Sequence, residues 1–340
     1  VKEMSFELLK KLTLPVLVML FVYYAHNPAS SGKGDINTVN SINEQLSVSN
    51  LQVTDETHHV VYALHEWDYI VRTYVPKDLD LCAIESIFMG LTGNFQQVTD
   101  DITSLVPENA RLLSYELTDG YLTLNLSAEF LEYDLSQEQQ LLSALVWTFT
   151  ELDEVDRVGF KIEGEPVANL KGTLAVGSGL TRSMGLNLEI DMDLSHLNDA
   201  KQVTLFFLTD DSSDAFLIPV TRLIPAKEDT ITYVIESLIT GPVGQNYISV
   251  FNHRTTLIDD PILENGLLTL NFSSDLYYNR AQTEVSSAML RQLVMTLTDL
   301  DEVDQISVII EGSVKVFDDE LGLGTITTSD FAVDSFIEAQ

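Results

Sequence analysis

The apolar positions of this chain follow a helical period in one segment and repeat it in a second. Leu141, Leu142, Leu145, Val146, Phe149 and Leu152 stand at relative positions 0, 1, 4, 5, 8 and 11, the spacing that lines one face of an α-helix. Met289, Leu290, Leu293, Val294, Leu297 and Leu300 reproduce it in the second half. Ahead of each helix the pattern predicts a hairpin. In the first half strands 112–117 and 121–126 flank Asp119-Gly120, and in the second Asn265-Gly266 makes the turn; Asp-Gly and Asn-Gly are the strongest short hairpin signals. Further upstream, β-rich runs at 60–64 and 69–76, and at 203–208 and 216–224, each enclose a polar tip and predict another hairpin. Helices at 80–90 and 229–241 follow, each starting near an acidic residue and ending at glycine. Strands 158–162 and 306–310 close the units and run into Glu163-Gly164 and Glu311-Gly312.

The order strand, strand, helix, strand, strand, helix, strand therefore occurs twice, with local sequence to match. Leu152-Asp153-Glu154-Val155-Asp156 returns as Leu300-Asp301-Glu302-Val303-Asp304, and Ile84-Glu85-Ser86 returns as Ile235-Glu236-Ser237. A unit well over about 100 residues long builds its own core, unlike the 20–50-residue units of solenoids. The fold class expected is α+β: two tandem two-layer sandwich domains, each with a mostly antiparallel sheet and two helices. The boundaries read as 58–173 for the first domain, 174–199 for an inter-domain segment, 200–326 for the second domain and 327–340 for a tail. Within the inter-domain segment, the alternation over 186–194 predicts an added strand near the junction.

The N-terminal part has a different character. Lys2, Lys10 and Lys11 precede an uncharged run from Leu12 to Ala25. As a helix it would cover about 21 Å, short of a hydrocarbon core of about 30 Å. No small-x-small pattern marks a cleavage site, so 1–25 is expected to be a retained signal anchor, with everything after about residue 25 on the extracytoplasmic side. Residues 26–57 are rich in Asn, Ser, Thr and Gly and read as a flexible tether.

Charge narrows the partners. Lys and Arg number 18 against 52 Asp and Glu, a formal charge of −34, which opposes binding to nucleic acid or anionic lipid and reads first as a well-solvated surface, with a basic protein partner or loosely held cations as the alternatives. Cys82 is the only cysteine. It rules out an intrachain disulfide, and its neighbours Leu81, Ala83 and Ile84 lead us to expect a small core residue.

Candidate chemistry is sparse. Asp153, Glu154 and Asp156, with Asp301, Glu302 and Asp304, are paired carboxylates, yet they occupy a helix-to-strand turn, where acidic residues are ordinary. Glu163 and Glu311 are expected in solvated turns. Asp210, Asp211 and Asp214 lack the glycine and closing glutamate of a calcium loop, and Asp191 and Asp193 supply only two carboxylates. His58, His59, His65, His196 and His253 fall in no metal-binding spacing. Gly90, Gly93, Gly241 and Gly244 follow helices and read as C-caps, not as a phosphate loop. Ser127 and Ser273 end strands and read as turn or cap residues. No catalytic, cofactor-binding or metal residue is assigned, and no cofactor. Trp67, Tyr69 and Tyr74 share a hairpin and would stack on sugar rings if they shared an exposed face.

The recurring residues form a pattern: Ile-Glu-Ser-x-x-x-Gly, a hairpin ending Leu-Thr-Leu-Asn-x-Ser, a helix closing with Thr148-Phe149-Thr150-Glu151-Leu152 or Thr296-Leu297-Thr298-Asp299-Leu300, then Val-Asp and a strand to Glu-Gly. This pattern resembles the GerMN domain, over about residues 58–172 and 200–326, and two copies behind a membrane signal are similar to the GerM family of spore-formers. The resemblance implies a non-enzymatic envelope protein of sporulation and spore germination. It would act by docking to envelope proteins or by self-association in a complex between mother cell and forespore. The family's lipoproteins carry a cysteine after the signal; this chain has none there, so anchoring falls to the hydrophobic segment. The alternative is an exported cell-wall or carbohydrate-binding protein.

Overall fold

The computed structural model describes residues 57–93, 101–172, 174–191, 194, 196–209, 216–226, 229–244, 246–277 and 285–312. The expected anchor, nearly all of the tether, the tail, Asp193 and the 210–214 hairpin tip lie outside these residues. No helix among the described residues is long and apolar enough to cross a membrane.

The first repeat runs β1 (His58–His65), β2 (Ile70–Pro76), α1 (Ala83–Gly93), β3 (Ile102–Thr103), β4 (Leu112–Thr118), β5 (Tyr121–Leu126), α2 (Glu138–Phe149), β6 (Arg157–Ile162) and β7 (Glu165–Pro166). After β8 (Glu189–Ile190) the second repeat runs β9 (Ala200–Thr209), β10 (Leu217–Pro225), α3 (Thr230–Thr240), β11 (Tyr247–Ile248), β12 (Ile262–Glu264), β13 (Leu267–Phe272), α4 (Ser287–Leu297) and β14 (Gln305–Ile310). The predicted order holds, with the short strands β3 and β11 added in matching places. Both Asp119-Gly120 and Asn265-Gly266 have positive φ at both residues (49° and 72°, 51° and 80°), the backbone that a two-residue hairpin turn demands.

The recurring residues recur because they touch one another. The main chain of Asp156 and Arg157 donates to the Gly120 carbonyl, and that of Asp304 and Gln305 to Gly266. The acidic turn thus closes over the hairpin turn, with the Asp156 or Asp304 carboxylate where a Cβ on the glycine would lie. Asn125 Oδ1 accepts from Gly164 N at 2.7 Å, and Asn271 Oδ1 from Gly312 N at 3.1 Å. Ser127 Oγ accepts from Arg111 N, and Ser273 Oγ from Thr256 N. The buried Thr148 Oγ1 accepts from Tyr62 N in β1, and Thr296 Oγ1 from Phe206 N in β9, each at 2.9 Å. Each bond satisfies a backbone donor that the fold would otherwise leave unpaired.

The sheets differ from the expectation of one sheet per domain. Strands β4-β5-β6-β7 form one small sheet and β12-β13-β14 another, and in each the crossover helix makes one strand pair parallel: β5 with β6 through α2, β13 with β14 through α4. The two upstream hairpins join edge to edge in a central sheet of order β11-β9-β10-β2-β1-β3, with β8 also paired to β10. That order is nearly symmetric about the boundary between β2 and β10. One hydrophobic cluster runs through both repeats, from Val61 and Phe88 to Leu293 and Val308. Strand alternation sends Val61 and Ala63 to it and Tyr62 to a second cluster with Ile70, Ala144, Trp147 and Leu186. The predicted junction strand shortens to Glu189 and Ile190.

Two local expectations are corrected. Helix α1 does not stop at Gly90 but runs to Gly93. Gly90 is a contact residue: a Cβ there would lie 2.8 Å from Val75 Cβ, so α1 can cross β2 only where the helix has no side chain. Cys82 is exposed, not core; the helix begins one residue later, and Cys82 faces solvent beside Tyr115, whose hydroxyl is 3.3 Å from its sulfur. Gly241 is the C-cap expected, with φ 95°. We expect Gly90→Ala to cost about 1–3 kcal/mol in urea unfolding, and Gly90→Ala/Val75→Ala to lose less than the sum of the single variants. Strictly additive losses would refute the contact.

Candidate functional site

The carboxylates considered from the sequence do not converge. Asp153, Glu154, Asp301 and Glu302 point to solvent from the two turns, and Asp156 and Asp304 cover the hairpin glycines. Glu163 accepts from Ala128 N at 2.9 Å, while its neighbour Gly164 and the matching Gly312 have open space around them. Among the described residues no group of three or more His, Cys, Asp or Glu is arranged to hold a metal ion. Burial, then the Lys77 charge, pushes His59 down to about 4 and lowers His58, so both are neutral near pH 7. His65 is buried and stacks on Tyr69 at 4.8 Å. Tyr69 and Tyr74 are buried and only Trp67 is exposed, so the hairpin presents no aromatic platform.

What the structure brings together lies at the junction, and Arg182 of the inter-domain segment is its hub. Its Nη2 meets Glu151 Oε1 at 2.6 Å, its Nε donates to Thr150 Oγ1 at 2.8 Å, and its guanidinium lies 4.7 Å over the Trp147 ring. Its Nη1 faces Asp299 Oδ1 at 3.8 Å. Glu151 and Asp299 are the matching residues of the two repeats, each three positions beyond the threonine that pins its helix to the first strand. One arginine is thus held by the same position of both repeats. Glu151 also accepts from Tyr62 Oη at 2.8 Å and lies 4.0 Å from Arg72.

Five residues on, the Asn187 side chain works as a strand. Its Oδ1 accepts from Ile70 N at 2.8 Å, and its Nδ2 donates to the carbonyls of Ile70 and Pro219 at 2.6 and 2.8 Å. It bridges β2 and β10, where only Leu217 and Arg72 are in register. Beyond it, Glu189 is 1% exposed and fully partnered. Its Oε2 accepts from Arg222 Nε and Nη2 at 3.0 and 2.6 Å, and its Oε1 accepts from Val243 N, Gly244 N and Tyr247 Oη at 3.0, 2.7 and 2.7 Å. Arg222 Nη2 also donates to the Gly241 carbonyl at 3.0 Å. The charge is buried because every lone pair in use has a donor.

Sequence reasoning missed these residues, though signals existed. Arg222 is the one charge in the otherwise uncharged run 217–225, Arg182 is a rare cation in an acidic chain, and Glu151 and Asp299 recur. We expect Glu189→Ala to cost about 3–5 kcal/mol in chemical denaturation, because it strands a buried arginine; a loss within the surface range of about 0.5 kcal/mol would refute the lock.

Asp299 is pushed up to about 6, first by burial and then by the charges of Glu151 and Asp301, while the Thr204 hydroxyl and Arg182 pull it down. Its folded value lies above the ordinary 3.8, so the folded state binds the proton more tightly. Its contribution to stability is present below about pH 4 and is lost as pH rises through 6. Asp299→Asn should therefore gain on the wild type between these pH values in thermal unfolding; a constant difference would refute the shift.

Comparison with known proteins agrees with this architecture. The chain is 27% identical over 207 residues to the spore germination protein GerM of Bacillus subtilis, a match covering 59% of this chain and 56% of that protein; it therefore spans about half that relative's length. The fold matches the tandem GerMN domains of the sporulation protein GerM from Bacillus subtilis with a TM-score of 0.70 at 21% identity, covering 83% of this chain and 98% of that one. The Germane family profile, described as sporulation and spore germination, matches residues 39–168 and 204–316. More than half of the sequence is covered in two blocks, and the chain belongs to the Germane family of sporulation and spore germination.

Proposed function

We propose that this protein is a non-enzymatic component of the sporulating cell envelope. It is held at the membrane by the hydrophobic segment before residue 26 and presents its two repeats on the extracytoplasmic side, in the space between mother cell and forespore. It works by docking to other envelope proteins. One observation carries this reading: four pairs of polar residues that recur in both repeats are engaged in holding the fold, and the other recurring acids of the turns face solvent without converging. Asn125, Ser127, Thr148 and Asp156, with Asn271, Ser273, Thr296 and Asp304, serve as hydrogen-bond partners or turn covers. Arg182 and Asn187 tie the two repeats together, and Glu189 fixes their segment to the second repeat. A duplicated unit whose buried shared polar groups serve the fold, and whose remaining shared acids face solvent, acts through its surfaces. Family membership supports the sporulation setting, and the basic residues ahead of the apolar run support the orientation.

Deleting the gene in its source organism should lower the count of heat-resistant spores and arrest engulfed forespores. Reintroducing the full-length protein should restore both. Normal sporulation and germination without the gene would remove this role.

A further inference from the structure

We propose that the second repeat carries a docking groove for a cationic, apolar-anchored peptide segment of another protein, lying between α3 and residues 255–261. The inference rests on the docking reading and names one surface for it.

The groove arises from a local difference between the repeats. In the first, Leu112 pairs with Leu126 and Glu116 with Thr123. At the matching places in the second, Leu257 bridges Phe272 and Ile262 pairs with Thr269. Between these fixed points the first repeat has Leu113, Ser114 and Tyr115, whereas the second has Ile258, Asp259, Asp260 and Pro261, one residue more. Tyr115 reaches across to the start of α1, where its hydroxyl lies 3.3 Å from Cys82 Sγ, so the first repeat bridges the gap between strand and helix. The position before Ile262 is Pro261, whose ring is far shorter than tyrosine, and the additional residue lengthens a stretch whose pairing is already shifted in the first repeat, between Leu112 and Ser114. The result is a groove of about 530 Å³.

Its lining has a definite chemistry. Ile239, Leu257 and Ile258 supply apolar surface, and Glu236, Asp260 and Asp259, whose Oδ2 also accepts from Asn271 Nδ2 at 2.6 Å, supply carboxylates; no lysine or arginine is among the lining residues described. Ile258 is 49% exposed and the adjoining Ile262 is 55% exposed, an apolar strip with nothing over it among the described residues. The Thr232 hydroxyl, which also lines the groove, has no hydrogen-bond partner. Arg254, next in sequence to the groove, faces Asp275 at 3.5 Å. Strand β12 pairs only with β13 among the described strands, so its outer edge is open beside the groove. Apolar floor with acidic rim fits a segment that brings lysine or arginine around aliphatic anchors. A second copy of this chain is the poorer fit, because it carries the same charge of −34 and meets like-charge repulsion.

The test uses the full-length protein in detergent micelles and three labelled synthetic peptides: a Lys/Arg-rich peptide with leucine anchors, the same peptide with serine at the anchors, and an acidic counterpart. Fluorescence anisotropy should give binding of the first alone. Ile258→Ser and Glu236→Gln/Asp260→Asn, all at exposed positions, should each weaken it about tenfold with unchanged melting temperature. Absence of binding, equal binding by the variants, or equal binding of the anchor-free peptide would each overturn the groove. So would concentration-dependent dimerisation abolished by Ile258→Ser, which would assign the surface to a second copy. Restored spore counts in the deletion strain carrying the combined groove variants would also remove the groove from the docking role while leaving the role itself. A deletion without phenotype would remove the role, and the peptide titration would still decide the groove.

Discussion

The buried carboxylate of Glu189 is the constraint on which the arrangement of the two repeats depends. A charge at 1% exposure is tolerated only where donors surround it, and its donors come from three places in the second repeat: Arg222 in β10, the turn after α3, and Tyr247 in β11. Satisfying that carboxylate fixes β8 against β10. Fixing β8 places Asn187 over the seam between β2 and β10 and leaves Arg182 between Glu151 and Asp299. A short segment between domains thereby becomes the part that sets how the domains meet.

That seam changes what the duplication means. Each repeat buries its own helices against its own strands, but the two upstream hairpins complete each other's sheet, so neither leaves its inner edge open to solvent. The order β11-β9-β10-β2-β1-β3 pairs matching elements about a central boundary, and Arg182 meets the matching acids of both repeats. The pairing is not perfectly symmetric, since Glu151 holds the guanidinium at 2.6 Å and Asp299 stands at 3.8 Å. Once the shared residues have set the scaffold, the repeats are free to differ on their outer faces, as Tyr115 and Pro261 do.

Much of the fold was legible because it rests on local rules. Asp119-Gly120 and Asn265-Gly266 specify their turns through backbone conformation, Asp229 and Gly241 bound α3, and the apolar spacing of α2 and α4 names their buried faces. Where local rules misled, a distant contact had overridden them. Gly90 carries the usual signal for a helix end, yet it sits inside α1, where the close pass of Val75 leaves no room for a side chain. Cys82 sits among apolar neighbours, yet the helix starts just after it and turns it outward. Trp67, Tyr69 and Tyr74 share a hairpin, yet only Trp67 reaches the surface. The hydrogen bonds of Asn125, Asn271, Thr148 and Thr296 explain why the recurring pattern includes so many polar groups.

The sequence by itself determined that there are two like units, the order of the main helices and strands in each, and a formal charge of −34. Those properties follow from periodicity, turn chemistry and summed charge, all of which operate over a few residues or over the whole chain. Only the tertiary structure decided that the units share a sheet, that Arg182 and Asn187 bind them together while Glu189 anchors their segment to the second, and that the second unit has an open groove where the first is bridged. Each of these rests on atoms brought within hydrogen-bond or van der Waals reach by folding, from positions as far apart as Ile70 and Asn187, and no local pattern encodes which distant groups will meet.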